Sequence, residues 1–282
     1  MLNVLVTGAT NGIGLEAARV LAGLGHSVLL HGRDAARGEA ALKVVRAGAG
    51  AKVGYVQADF ASLAEVRRLA AAVTAATPRL DVLINNAGCV TFTRSETVDG
   101  YERTFAVNHL APFLLTNLLL PLIRRHTPAR IVTVASRAHR DQRIDFGDVM
   151  SIRGYNARRA YGRSKLANIL FTRALAKRLS GSGVTANSLH PGIVATGLGQ
   201  NNPFARVIVR LIQGLRGIPA AEGARTTLYL ATSDEVQNVT GEYFSECRPA
   251  PLLTAPEAVD DSTAEQLWRV SEELVGLPCT SP

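Results

Sequence analysis

The stretch Asn3–Val20 constrains this chain more than any other. Val4, Leu5 and Val6 form a short apolar run with no helical period, the pattern of a strand buried on both faces. Glycines follow at Gly8, Gly12 and Gly14, and Leu15, Ala18 and Leu21 then return at helical spacing. The segment predicts a strand, a tight turn and a helix. Glycine has no Cβ, so such a turn lets backbone N–H groups approach an anion closely, at a helix end whose dipole favours negative charge. The spacing is G-x-x-x-G-x-G and not the G-x-G-x-x-G dinucleotide fingerprint. On these residues alone, a plain strand–helix connection stays open.

The rest of the chain repeats the alternation. Strands are expected at Ser27–His31, Val53–Gln57, Val82–Ile84, Arg130–Ala135 and Val184–Leu189. Helices are expected over 34–47, from the N-cap Ser62 to about Ala76, over 98–125 and over 160–179. The stretch 136–159 has no period. This alternation implies an α/β fold, a doubly wound parallel sheet in one Rossmann-like domain over 1–282, with its ligand crevice at the carboxyl ends of the strands. With 47% hydrophobic residues the chain can bury a sizeable core. The net charge of +8 is scattered, with no run of five Lys or Arg, and reads as solvated surface. Low aromatic content argues against base-stacking nucleic-acid binding. Cys89, Cys247 and Cys279 are too few and too far apart for a disulfide framework or a metal site. The first strand starts at Leu2 and no run of eighteen apolar residues occurs, so the expectation is a soluble, cytoplasmic protein.

Chemistry-bearing residues fall on the carboxyl edge: Gly8, Asp59, Asn86, Ser136 and Pro191-Gly192 each follow a strand. Tyr161 and Lys165, at i and i+4, share a helix face. A tyrosine titrates near 10, too high for efficient proton transfer at neutral pH. An ammonium about 5 Å away, at an effective dielectric near 20, favours the phenolate by about 3 kcal/mol, or about 2 pKa units. The pair alone is common on exposed helices; Ser136 and Asn108 give it weight.

Taken as a set, Thr7-Gly-Ala-Thr-Asn-Gly-Ile-Gly14, Asn85-Asn-Ala-Gly88, Asn108, Ser136, Tyr161-x-x-x-Lys165 and Pro191-Gly192 resemble the short-chain dehydrogenase/reductase family. Segments 161–179, 183–194 and 241–247 are similar to its retinol dehydrogenase-like branch, and the likeness spans nearly the whole chain. It departs at Ala135, where many members have serine, and in lacking the N-terminal anchor of membrane-bound members. The resemblance implies that Ser136 polarises a substrate carbonyl, Tyr161 is general acid/base, Lys165 lowers its pKa and binds the nicotinamide ribose, and Asn108 holds a relay water. It implies cofactor contacts from Gly8, Thr10, Asn11, Gly12, Ile13 and Gly14. Asn86, Ala87 and Gly88 would line the adenosine ribose, Asp59 and Phe60 the adenine, and Pro191, Gly192, Ile193 and Thr196 the carboxamide and pyrophosphate. Asp59 reads equally as a turn residue.

At the end of the second strand, Arg33 offers a planar fork for a 2′-phosphate, which favours NADPH/NADP+ over NADH. Asp34 is either the next helix's N-cap or a ribose ligand. Pocket walls are expected at 136–159 and 197–218. The second segment mixes Val207, Ile208, Leu211, Ile212 and Leu215 with Arg206, Arg210 and Arg216, as in a lid helix or, less favoured, a helix resting on an anionic membrane. Either suggests a lipophilic small-molecule substrate. A homo-oligomer is left open. The reading is an NADP(H)-dependent oxidoreductase acting on a ketone, aldehyde or alcohol. The alternatives are a regulatory or scaffold protein, or a non-redox rearrangement catalyst, on the same fold.

Overall fold

The apolar runs do become the middle of a sheet. The structure is a computed structural model that describes residues 1–192 and 219–278; Ile193, Thr196 and the expected lid segment lie outside the described residues. Among these, eight strands form one sheet: β1 (Asn3–Val6), β2 (Ser27–Gly32), β3 (Val53–Gln57), β4 (Val82–Asn85), β5 (Ala129–Val134), β6 (Val184–His190), β7 (Tyr243–Ser245) and β8 (Arg248–Pro249). Their order is β3-β2-β1-β4-β5-β6-β7-β8. Chain order reverses between β1 and β4, the switch point at which such sheets open a crevice.

Alternate residues of each strand serve opposite cores. Leu5, Leu83 and Ile131 face a layer made by α3 (Leu63–Ala76), α4 (Arg103–Ile123), α5 (Ala157–Arg178) and α7 (Asp261–Val275). Val4, Val6, Ile84 and Val132 face α1 (Gly12–Gly23), α2 (Ala35–Arg46) and α6 (Ala220–Thr232). Burial on both faces explains why these strands read as apolar runs rather than alternating ones. Helix α4 is apolar and long enough to cross a bilayer by composition alone, although it lacks eighteen consecutive apolar residues, and most of it is buried inside the protein.

Three features differ from the sequence expectation. The sheet is not wholly parallel, because β8 runs antiparallel to β7. The long helix begins at Arg103 and not near Val98. Gly100 turns the chain at φ +81, and the Glu102 carboxylate then caps the helix by accepting from the N–H groups of Thr104 and Phe105 at 2.8 and 2.7 Å. Within α4, residues Ala106–Leu110 form a π turn, in which the N–H of Ala111 reaches five residues back to Ala106.

Candidate active site

The glycine turn leaves β1 and enters α1 at the carboxyl edge. Gly8 and Gly12 have φ of +65 and +56, a region L side chains rarely adopt. Gly14 is glycine for lack of room: a Cβ there would lie 2.4 Å from Asn86 Nδ2 and 2.5 Å from the Gly8 carbonyl oxygen. The N-cap Asn11 makes no side-chain cap bond and the first turn of α1 holds no acidic residue. By contrast, α2, α3, α5 and α7 are capped by Asp34, Ser62, Asn156 and Asp260. Among the described residues no side chain is shown accepting from the first N–H groups of α1, as an anion site requires. Ile13 is buried against Ala17 and Ala224, and Thr10 sits over Gly32 at the end of β2.

The turn is tied to the loop after β4. The Thr7 hydroxyl accepts from the N–H groups of Asn86 and Ala87 at 2.9 and 3.1 Å, and Asn86 Nδ2 donates to the Thr7 and Gly8 carbonyls at 2.8 and 3.2 Å. Asn108, at the π turn, is fully buried. Its Oδ1 accepts from the Cys89 N–H at 2.7 Å, while Nδ2 donates to the Cys89 carbonyl at 3.0 Å and to Ser164 Oγ at 2.9 Å. It therefore straps the β4 loop to α5. Single π turns of this kind cluster at functional sites. Gly88 lies in the same cluster: a Cβ there would stand 3.2 Å from Asn108 Oδ1 and 3.4 Å from Lys165 Nζ.

Ser136 follows β5 and caps the short turn Arg137–His139, its Oγ accepting from the Ala138 N–H at 3.3 Å. That bond uses a lone pair and leaves the hydroxyl hydrogen for another acceptor. Helix α5 brings Tyr161 and Lys165 to the same place. Lys165 Nζ donates to the Val134 carbonyl at 3.0 Å and lies 5.7 Å from the centre of the Tyr161 ring. The electrostatics differ from the sequence argument. Burial pushes Tyr161 up to about 12, with Ser136 hydrogen bonding pulling the other way. Burial pulls Lys165 down to about 8. A Coulomb estimate between two charges omits the cost of desolvating both, and here that cost wins. Tyr161 therefore holds its proton firmly at neutral pH.

A profile of the short chain dehydrogenase family matches residues 2–205. The chain belongs to the short-chain dehydrogenase family. It is 44% identical to retinol dehydrogenase 14 of Mus musculus, over 97% of this chain and 86% of that relative. It is 42% identical to retinol dehydrogenase 13 of Homo sapiens, over 99% of this chain and 86% of that relative. These likenesses put it in the retinol dehydrogenase-like branch. Among solved structures, an uncharacterized protein from Mycobacterium Paratuberculosis superposes with a TM-score of 0.80 at 36% identity, covering 98% of this chain and 94% of that one. The Pseudomonas aeruginosa RhlG/NADP active-site complex superposes with a TM-score of 0.68 at 30% identity, covering 86% and 93%.

In this short-chain dehydrogenase the remaining predicted residues fall as follows. Arg33 is exposed at the end of β2, beside the crevice. Asp34 takes the capping role, its Oδ1 accepting from the Arg37 N–H at 2.9 Å. Asp59 is half-buried, with Oδ1 accepting from the Ala61 N–H at 2.9 Å. Phe60 is buried, its ring stacked on His31 at 4.4 Å. Pro191 and Gly192 follow β6, with Gly192 at φ +85. Sequence reasoning missed His31. Its Nε2–H donates to the Ala58 carbonyl at 3.0 Å, which leaves Nδ1 to accept from the Gly8 N–H at 3.4 Å. Burial holds the ring neutral, with a pKa of about 4. The one available sign was a histidine inside an otherwise apolar strand. Ser164 was likewise passed over within Tyr161–Lys165.

Proposed function

We propose that this chain is an NADP(H)-dependent oxidoreductase that interconverts lipophilic ketones or aldehydes and their alcohols, with Tyr161 as general acid/base. The observation that carries this reading is the convergence of Ser136, Tyr161, Lys165 and Asn108 beside the side-chain-free N-terminus of α1. The residues fit a dinucleotide. The crowded Gly14 and left-handed Gly8 and Gly12 bare a backbone surface for the phosphates, and exposed Arg33 suits a 2′-phosphate. Bound there, the nicotinamide supplies or accepts the hydride. The chain's own groups do the rest. Ser136, whose hydroxyl interacts with Tyr161 in this structure, donates its hydroxyl hydrogen to the substrate oxygen. Tyr161, kept protonated by burial, gives its proton to that oxygen in reduction; in oxidation it takes the alcohol proton as its own passes to neutral Lys165. Lys165, already brought near neutrality, is suited to pass protons on to Tyr161.

Two exposed apolar side chains are compatible with a lipophilic substrate. Phe92 is 43% and Ile152 71% exposed, on two loops joined by Arg94 Nε donating to the Met150 carbonyl at 3.3 Å. The retinol dehydrogenases among the relatives support it too. One pocket wall is assigned to 136–159; the other expected wall, 197–218, lies outside the described residues. The test is to mix the protein with NADPH and a panel of lipophilic ketones and aldehydes. Loss of the reduced-nicotinamide absorbance is expected with at least one carbonyl and not without it. Tight NADPH binding with no turnover across the panel, in either direction, would favour the regulatory alternative.

A further inference from the structure

We infer that His139 is a positioning residue for Ser136, holding the carbonyl of that serine so that its hydroxyl faces the reacting oxygen. The inference rests on the functional reading above. His139 is fully buried. Its Nδ1 lies 2.5 Å from the Ser136 carbonyl oxygen. A carbonyl only accepts, so Nδ1 carries the ring proton; Nε2 makes no hydrogen bond of ordinary geometry among the described residues, although the Leu253 backbone also faces the ring.

Distances decide which contact holds the turn. Arg137–His139 is a single short 3₁₀ turn, a form with poor hydrogen-bond geometry. Its own bonds are long: His139 N–H to the Ser136 carbonyl is 3.3 Å, and Ala138 N–H to Ser136 Oγ is 3.3 Å. Both exceed the usual 2.9–3.0 Å, while the imidazole contact is the short one. Arg137 and Arg140 on either side are exposed, Arg140 Nε reaching out to the Leu253 carbonyl at 3.1 Å, and His139 is the turn's fully buried side chain. The imidazole is braced in turn by an element distant in sequence, packing edge-on against Tyr243 of β7 at 5.1 Å and 69°.

The turn also abuts the catalytic helix. A Cβ on Gly162 would lie 2.4 Å from the Ala138 carbonyl oxygen, so backbone meets backbone one residue from Tyr161. A rotation of the turn would therefore disturb both Ser136 and Tyr161. A histidine serving only to fill the core would be replaceable by any ring of similar size. The donated N–H is what a filler lacks.

The test compares three variants of the full chain, using NADPH and a carbonyl compound that the parent reduces. His139→Phe keeps a ring against Tyr243 but loses the donor. His139→Asn places an N–H donor where Nδ1 stands, and His139→Gln places one where Nε2 stands. We expect His139→Phe to lower kcat about ten- to a hundredfold, as small misplacements of reacting groups do. The NADPH Kd and thermal midpoint should stay near the parent's, His139→Asn should recover most of kcat, and His139→Gln should not. Parent-like kcat in His139→Phe overturns the inference, as does equal loss in the Asn, Gln and Phe variants. A fall in kcat matched by falls in thermal midpoint and NADPH affinity also overturns it. A parent that reduces no carbonyl overturns the functional reading and this inference together, which separates the two failures.

Discussion

The two sides of the crevice are made of different material. On the β1–β2 side the work is done by backbone: left-handed glycines, a helix end without a side-chain cap, and Gly14 wedged against Gly8 and Asn86. On the β4–β6 side it is done by side chains taken out of water: Asn108 and Lys165 deep inside, Tyr161 pushed up to about 12 and Lys165 down to about 8. The first side is a shape and should fail when something is added to it. The second is an arrangement of protons and dipoles and should fail when an atom is removed, even with shape preserved.

The largest effect is expected where only an atom is lost. Tyr161→Phe deletes one oxygen and keeps the ring. Turnover should fall by about 10² to 10⁴ while NADPH binds as before. Steady-state kinetics beside a binding titration would check this. Parent-like turnover would remove Tyr161 from the chemistry, and lost cofactor binding would mean that the two sides are not separable.

The opposite manipulation applies to the first side. Gly14→Ala adds one methyl where 2.4 and 2.5 Å are available against Asn86 and backbone. Overpacking of this kind costs about 1–3 kcal/mol, or several degrees of thermal midpoint, and NADPH affinity should fall with it. Gly48→Ala is the control, since nothing lies within 4 Å of the added atom; it should change stability by less than about 0.5 kcal/mol. Calorimetry on both decides. Normal cofactor binding in Gly14→Ala would mean that the turn is not the tight cradle described.

The same division explains what could be read from sequence. Glycines, caps and apolar runs are local signals: Asp34 and Ser62 cap the helices they were expected to begin, and β3 has the expected limits. Tyr161, Lys165, Ser136 and Asn108 could be placed on one edge because strand ends share an edge. What could not be read is burial. Nothing local says that desolvation outweighs the Lys165 charge on Tyr161, because the atoms that exclude water come from α4, α5 and β5 together. Nor does a π turn have a sequence sign, since it is one residue's slip in the hydrogen-bond ladder. Strands β7 and β8 span only three and two residues, too short to show a period. Helix α7 does carry the ordinary signals, with Asp260 as cap and Gly276 at φ +64, but buried Ser271 and Glu272 blur its apolar stripe.

Burial on the second side also predicts a conflict between stability and function. Lys165 has its folded pKa lowered from 10.5 to about 8. The unfolded chain then holds the proton more tightly, so stability should rise with pH from about 8 to 10.5 as the folded ammonium is neutralised first. Tyr161 acts in the reverse sense above pH 10, because the unfolded phenol ionises before the folded one at about 12. Lys165→Met should stabilise the protein at pH 7 by about 1–3 kcal/mol, lose the rise above pH 8, and lower turnover less than Tyr161→Phe does. Denaturant unfolding at pH 7 and 9.5 measures this. A destabilised methionine variant would mean that the bond to the Val134 carbonyl outweighs the buried charge.

The smallest effect is expected where the first side does use a side chain. Arg33 is exposed at the end of β2. Its predicted partner, the 2′-phosphate of NADPH, carries close to two negative charges, and a hydrogen bond to a charged group contributes about 1.5–3 kcal/mol. Arg33→Ala should weaken NADPH about ten- to a hundredfold and leave NADH nearly unchanged, so the ratio of the two affinities is the quantity to titrate. In the parent that ratio should favour NADPH. If it favours NADH, the carboxylate of Asp34 serves the ribose as well as the Arg37 N–H it caps. If it favours NADPH but survives the loss of Arg33, the phosphate is held from elsewhere, with Arg37 on the first turn of α2 the nearest alternative in sequence. In that case even the cofactor's specificity on this side would come from a helix terminus, and the contrast with the buried side chains opposite would be sharper than drawn.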